Sequence, residues 1–117
     1  MSDDISKTEL LGSITTAIQR INLRKAAILQ RALDEGGPDL VMEVLDQIQE
    51  LRDARFELIQ RNLDTDNDEY QALAAAAKRE AEAIGEDIEA LESVAKVLGT
   101  IANVVNFMGR IFIRFGI

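Results

Sequence analysis

The sequence predicts an all-α protein: an antiparallel three-helix bundle of coiled-coil-like hairpins with a long third helix and an apolar C-terminal helical extension. Three observations predict this class. Apolar residues recur three and four positions apart along most of the 117 residues. An alternating strand pattern is absent from the sequence, and a Gly36-Gly37-Pro38 cluster separates two of the periodic segments. The length suits one domain, which we divide into an acidic helical bundle (1–93) and an apolar tail (94–117).

The first helix is predicted over residues 3–35. Its apolar positions alternate three and four apart except where Lys25 interrupts them: Leu11, Ile14, Ile18, Ile21 and Ile28. The two glycines permit a C-terminal cap, and Pro38 suits the first turn of the next helix. The chain is therefore predicted to reverse between Gly36 and Pro38.

The second helix is predicted over residues 39–63. Its apolar face consists of Val41, Val44, Leu45, Ile48, Leu51, Leu58 and Ile59. An acidic turn over 62–68 follows, in which Asp66 or Asp68 is the expected N-cap of the third helix. The third helix is predicted over 67–93, and the same spacing continues through the tail as far as Phe112.

Helix lengths and charges predict how these helices align. At 1.5 Å per residue the helices are about 50, 36 and 69 Å long, so Leu91 is expected level with the Gly36–Pro38 turn. The rest of the third helix then projects beyond the bundle unless it folds back, for which Gly99 is the expected break. This alignment sets a basic stretch (Arg20, Arg24, Lys25, Arg31) against acidic residues of the third helix (Glu80, Glu82, Glu86, Asp87).

The tail from Val94 differs in composition from the rest of the chain. It holds three of the four Phe residues and carries three positive charges with no acidic residue, in a chain of net charge −8. Its predicted interaction face consists of Leu98, Ile101, Val105, Met108, Phe112 and Phe115. Its basic residues are Lys96, Arg110 and Arg114. A helix with only a narrow polar stripe needs burial on more than one side.

Four kinds of contact would bury this apolar surface. The tail folds back over its own bundle, pairs with a second copy, docks on another protein, or lies in a membrane interface with its cations at anionic headgroups. A membrane-spanning role fits less well, because the uncharged run from Val97 to Gly109 is shorter than the ~20 apolar residues that a span needs.

Composition excludes most chemistry. The chain has no His, Cys or Trp, which removes thiol nucleophiles, His-based acid/base pairs and the usual zinc, haem and iron–sulfur sites. Asp64, Asp66 and Asp68 resemble the start of a calcium loop, but Glu69 stands where that loop needs Gly and Ala75 where it needs Glu. We therefore expect no enzyme activity, no cofactor and no metal site. The acidic net charge argues against a nucleic-acid partner.

The predicted function is that of a non-catalytic helical interaction module that buries its C-terminal helix in a homo-oligomer or a protein partner, in an accessory, secretion or immunity-type role. The alternative is a membrane-acting helical protein whose C-terminal helix engages lipid. The N-terminus lacks the pattern of a cleavable signal peptide. A cytoplasmic protein is therefore expected, with membrane association or signal-less export as the alternatives.

Overall fold

The computed structural model describes residues 4–116 and consists of four α-helices in an up-down bundle. They are α1 (Lys7–Leu23), α2 (Lys25–Gln60), α3 (Asp68–Ala90) and α4 (Val94–Phe115). The all-α class is confirmed, but the number of helices predicted for the bundle was too small. The parts of the predictions that concern residues 1–3 and 117 lie outside the described residues.

The first hairpin consists of α1 and α2. The helix α1 begins after Ser6, whose Oγ accepts a hydrogen bond from Glu9 N–H at 3.0 Å. It is interrupted at Arg24, so the first helix does not run unbroken to residue 35 as predicted. The Arg24 N–H still donates to the carbonyls of Arg20 and Ile21, which makes the break a slight one.

The chain reverses inside α2, where the sequence predicts the turn. Gly37 has φ and ψ of 72° and −164°, a conformation that glycine adopts readily and a residue with a Cβ adopts only at a cost. We call the segments on either side α2a (25–36) and α2b (38–60). The helix α2b then returns along α1, as hydrogen bonds from Arg52 to Asn22 and from Arg55 to Thr15 show, both 2.8 Å long.

The second hairpin consists of α3 and α4. Asn67, not Asp66 or Asp68, caps α3, since its Oδ1 accepts hydrogen bonds from the N–H groups of the first turn. The helix α3 ends at Leu91, which has left-handed φ and ψ of 41° and 50°, and α4 begins after Ser93. The tail therefore does not continue helix three, and the break lies at Leu91 rather than at Gly99. Folding back buries an apolar surface that a straight extension leaves in water.

The two hairpins pack side by side, so that the order around the bundle is α1, α2, α4, α3. The turn at Gly37 lies level with the α3–α4 turn, as the predicted alignment requires. Arg31 Nη2 donates to the Glu92 carbonyl at 2.8 Å, and the Glu35 carboxylate accepts from Val94 N–H at 3.2 and 3.3 Å. The Glu35 carboxylate thus satisfies an N–H group at the start of α4.

The charged contacts between the first and third helices involve different residues from those predicted. Within residues 4–116, the ion pair that joins α1 to α3 is Lys78 to Glu9 at 2.8 Å, and it raises the pKa of Lys78. Arg20 lies across Gly85, where a Cβ would collide with its guanidinium, so the absence of a side chain lets the two helices approach. Arg31 pairs with Glu35 on its own helix.

Candidate interaction surface

The predicted interaction face of α4 lies largely inside the bundle. Leu98, Ile101, Met108 and Phe115 are buried among the four helices. Val105 and Phe112 are half-buried and pack against the same core. Burial of this face is therefore supplied by α2 and α3 of the same chain.

The three basic tail residues lie on the outer side of α4. Lys96 approaches Asp87 at 3.9 Å and Glu92 at 3.6 Å, and Arg114 pairs with Glu69 at 2.7 Å. Arg110 is exposed and lines a shallow hollow with Arg114. The contacts of Lys96 and Arg114 fasten α4 to α3, and exposed pairs of this kind contribute about 0–1 kcal/mol each.

A buried tyrosine closes the end of the bundle where α3 begins and α4 ends. Tyr70 is fully buried, and its hydroxyl oxygen has no hydrogen-bond partner among the described residues. Burial raises the pKa of the Tyr70 phenol above its ordinary value of 10.0. At the same end, the Arg61 guanidinium lies 5.4 Å from the centroid of the Phe112 ring.

Large apolar side chains are exposed on the opposite side of the molecule from the α3–α4 hairpin. Leu33, Met42, Phe56 and Ile59 are 47%, 57%, 59% and 43% exposed, respectively. Leu33 and Met42 line one hollow, and Phe56 lies two heptads beyond Met42 on α2b, so the helical spacing places the two on the same side. We call this surface the α1/α2 face and define it by these four residues.

The hollow at one end of the α1/α2 face is an apolar cleft next to the Gly37 turn. It is open to solvent, has a volume of about 400 Å³ and is formed by residues of α2a and α2b: Ala26, Leu29, Gln30, Leu33, Pro38, Val41 and Met42. Charged side chains are absent from its lining. The face therefore combines a cleft at one end with a projecting aromatic ring, Phe56, toward the other.

The polar residues that border the α1/α2 face include both charged and uncharged side chains. Thr15 and Asn22 of α1 lie along it and accept hydrogen bonds from Arg55 and Arg52 of α2b. Gln49 lies midway between Met42 and Phe56 on the helix and donates a hydrogen bond to the exposed carboxylate of Asp53 at 2.9 Å. Met, Phe and Arg, which are enriched at the centres of protein interfaces, are all present on this surface.

Sequence reasoning missed the α1/α2 face. It assigned Ile59 to the apolar face of the second helix and left Phe56 unassigned. One signal was available, because Met42, Gln49 and Phe56 follow a spacing of seven outside the predicted apolar face of the helix, and Phe56 is the one Phe outside the tail.

The acidic turn and the apolar α4 are the two other features that the sequence singles out. In the acidic turn, Asp64 Oδ1 accepts a hydrogen bond from Asp66 N–H at 3.3 Å, an arrangement that organises the turn itself. Within residues 4–116 no group of three or more carboxylates is arranged to hold a metal ion. Among the same residues, α4 is long and apolar enough to cross a membrane, with a mean hydropathy of 1.2, a property that core helices share.

Comparisons of the chain with protein-family models, with curated proteins and with solved structures found no match.

Proposed function

We propose that the protein is a non-catalytic helical interaction module that binds another polypeptide chain through the α1/α2 face. The observation that carries this proposal is the exposure of Leu33, Met42, Phe56 and Ile59 together on one side of an otherwise acidic bundle. Large apolar side chains that cluster at the surface of a small domain are typical of protein-binding sites. We keep the predicted role of an interaction module, but we assign its binding surface to α2 instead of the C-terminal helix.

The position of α4 supports this change of surface. The apolar side of α4 is already covered by its own bundle, so removing it for a partner exposes Ile101 and Met108 to water. The α1/α2 face is available without any such rearrangement. Binding through a preformed surface avoids the cost of ordering or unfolding a segment.

The proposal is tested by photo-cross-linking in cells that make the protein. A photoreactive benzoylphenylalanine replaces Phe56 in one variant and Ile113, an equally apolar residue of α4 that is 86% exposed, in the control. We expect a cross-linked product from position 56 and none from position 113. The product from position 56 should disappear when Met42→Asp is added, because that change places a charge in the hollow of the same face.

Two outcomes would count against the proposal: position 56 yields no product, or positions 56 and 113 yield the same products. The mass of the product from position 56 identifies the bound chain. A product of twice the 12.9 kDa of one chain is a homodimer, and any other mass is a different protein.

The membrane-acting alternative is supported by the length and apolar composition of α4. It is opposed by the net charge of −8, which anionic lipids repel, and by the ion pair of Arg114 with Glu69, which occupies one of the cations that would meet headgroups. Flotation with vesicles of anionic phospholipid tests it directly. We expect the folded protein to stay with the soluble fraction, whereas flotation that is lost in the Arg110→Glu/Arg114→Glu double variant would favour the membrane role.

A further inference from the structure

We infer that the protein also forms a dimer in which two copies exchange α4. In this exchanged dimer α3 and α4 of each chain join into one helix, and α4 packs on the bundle of the second copy through the contacts that it makes in its own bundle. The inference concerns the α3–α4 turn (residues 91–93) and goes beyond the proposed function, which concerns the α1/α2 face. Three properties of the turn carry it: its sequence, its backbone conformation and the apolar spacing across it.

The sequence around the α3–α4 turn is compatible with an unbroken helix. From Glu86 to Leu98 the chain has neither Gly nor Pro, and the Ala, Leu and Glu residues of this segment are among those that most favour a helix. The other hairpin reverses at the Gly36-Gly37-Pro38 cluster, where the local sequence itself ends the helix. The two reversals therefore differ in kind, because only the first is specified by its own residues.

The backbone of the turn is strained at Leu91. Its φ and ψ are 41° and 50°, and among residues 4–116 it is the one residue other than glycine with a positive φ. In this left-handed region the Cβ of an L-amino acid comes too close to the following carbonyl oxygen. A continuous helix returns Leu91 to right-handed values, so exchange removes the strain in both copies. Short turns under strain favour exchange of the element that follows them.

Apolar residues keep a helical spacing across the turn. Residues that lie in the core or pack against it follow one another three or four positions apart: Ile84, Ile88, Leu91, Val94, Leu98 and Ile101. If α3 and α4 form one helix, this spacing places the apolar sides of both on the same side of it. Such a helix over residues 68–115 is about 72 Å long. It can therefore contribute α3 to one bundle and α4 to the next.

The hydrogen bonds of the turn are replaced when the helix becomes continuous. In the turn, Ser93 Oγ accepts from Lys96 N–H at 3.2 Å, and the Glu35 carboxylate accepts from Val94 N–H at 3.2 and 3.3 Å. In a continuous helix the carbonyls of Ala90 and Glu92 accept from the same two N–H groups. Ser93 and Glu35 thus stabilise the closed turn, and their balance with the strain at Leu91 sets the fraction of dimer.

The interface of the exchanged dimer is the packing that already surrounds α4. Val104, Met108 and Ile111 are fully buried where α4 packs on α2 and α3. After exchange, α2 and α3 of the second copy bury the same three side chains. Exchange of an identical element is a low-cost route to a dimer, because it reuses contacts that the single chain has already optimised.

The first test measures the dimer fraction of the purified full-length protein by size-exclusion chromatography with light scattering, after incubation at a series of high concentrations. We expect a fraction with twice the mass of one 12.9 kDa chain. Ser93→Ala removes a cap that only the closed turn uses, and each dimer replaces two such turns, so its dimerisation constant should rise about tenfold or more. Ser6→Ala is the matched control, since Ser6 caps α1, which is not exchanged. It should leave the constant unchanged.

Leu91→Gly is expected to act in the opposite direction. Gly adopts the left-handed conformation without strain and disfavours a continuous helix, so the dimerisation constant should fall about tenfold or more. Leu91→Ala is its control, because it truncates the same side chain but keeps the strain of the turn and favours a helix. It should dimerise at least as well as the wild type. Circular dichroism shows whether both variants keep their helices.

A second test identifies the chain that supplies α4. Glu69 of α3 and Arg114 of α4 are exposed and form an ion pair of 2.7 Å, and the chain lacks Cys. A short bismaleimide therefore links these positions in the Glu69→Cys/Arg114→Cys variant. In the isolated dimer the link should join two chains, which gives a band of twice the mass on a denaturing gel. In the isolated monomer it should join two positions of one chain, and neither single variant should give a linked dimer.

A wild type that stays monomeric at every concentration overturns this inference, as does a dimer whose constant is unchanged in Leu91→Gly. It is also overturned if the isolated dimer of Glu69→Cys/Arg114→Cys gives only links within one chain, since that result means side-by-side association. Met42→Asp separates this inference from the proposed function. It should abolish the cross-link from position 56 and leave the exchanged dimer intact, whereas a dimer that it dissociates belongs to the α1/α2 face instead.

Discussion

The ring of Tyr70 meets the ring of Phe115 edge to face, with centroids 5.9 Å apart and an interplanar angle of 89°. This contact joins the first turn of α3 to the last turn of α4 and fixes the C-terminal helix to its hairpin. Close by, the Asp64 N–H donates to the Phe115 carbonyl at 2.9 Å, which ties the α2–α3 loop to the same point. The end of the tail is thus part of the folded core.

The Tyr70 hydroxyl leads to a prediction about stability. Tyr70→Phe keeps the aromatic contact and removes a buried oxygen that has no hydrogen-bond partner among the described residues. Because an unsatisfied buried polar group is destabilising, we expect the free energy of unfolding to rise by up to about 1 kcal/mol. Urea denaturation followed by circular dichroism measures it. A loss of more than about 1 kcal/mol would show that the hydroxyl makes a bond in solution.

The same residue predicts a dependence on alkaline pH. Burial raises the pKa of Tyr70 above 10.0 in the folded state, so above pH 10 the unfolded state releases this proton first. The contribution of Tyr70 to stability is therefore complete below pH 10 and is lost as the pH rises above it. Tyr70 is the single Tyr of the chain, so its ultraviolet absorbance reports the ionisation directly. We expect a higher midpoint in buffer than in denaturant; equal midpoints would contradict the burial.

The contact between Thr100 and Asp87 predicts a second change in stability. Thr100 Oγ1 donates to Asp87 Oδ2 at 2.6 Å, where the carboxylate is only 11% exposed. Thr100→Val keeps the shape of the side chain and removes the donor, so we expect a loss of about 1–3 kcal/mol. Asn103→Ala is the control, because its 3.4 Å bond to Glu80 is exposed. It should change the free energy of unfolding by less than about 0.5 kcal/mol.

Two glycines are predicted to respond in opposite directions to the same substitution. Gly37→Ala forces a Cβ into a backbone conformation, φ 72° and ψ −164°, that is essentially confined to glycine, and it should destabilise the protein by about 1–3 kcal/mol. Gly99→Ala adds a methyl group to a helical residue with open space around it and should stabilise by about 0.5–1 kcal/mol. Thermal unfolding of both variants gives the comparison. If Gly99→Ala destabilised the protein instead, the helix would not be continuous there.

The burial of α4 in its own bundle predicts the effect of truncating its side chains. Met108 is fully buried, whereas Ile113 of the same helix is 86% exposed. Met108→Ala should cost about 2–5 kcal/mol in the free energy of unfolding, because it removes core contacts and leaves a cavity. Ile113→Ala should cost less than about 0.5 kcal/mol. Chemical denaturation at low protein concentration separates this result from any effect on association. Equal, small effects would indicate that α4 is not packed on the bundle.

Some elements were predictable because local chemistry determines them. Apolar spacing identified helical segments, and the Gly36-Gly37-Pro38 cluster marked the reversal that the structure places at Gly37. Helix lengths then brought that turn level with Leu91, near the observed bond from Arg31 to Glu92. The break at Leu91 was not predictable in the same way, because a Leu in a left-handed conformation carries no turn signal. The Ser93 cap that follows it was the available signal.

The sequence by itself determined that the chain is helical, where its first hairpin turns, and that its last helix must be buried on more than one side. Only the tertiary structure decided which parts of the molecule bury that helix. Periodicity records which side of a helix is apolar, but burial depends on residues distant in the chain, here α2 and α3 packed on α4. The same packing left Met42 and Phe56 exposed, because a helix in a two-layer bundle has one side turned away from the core. The surface now proposed for binding was therefore decided by the arrangement of the helices.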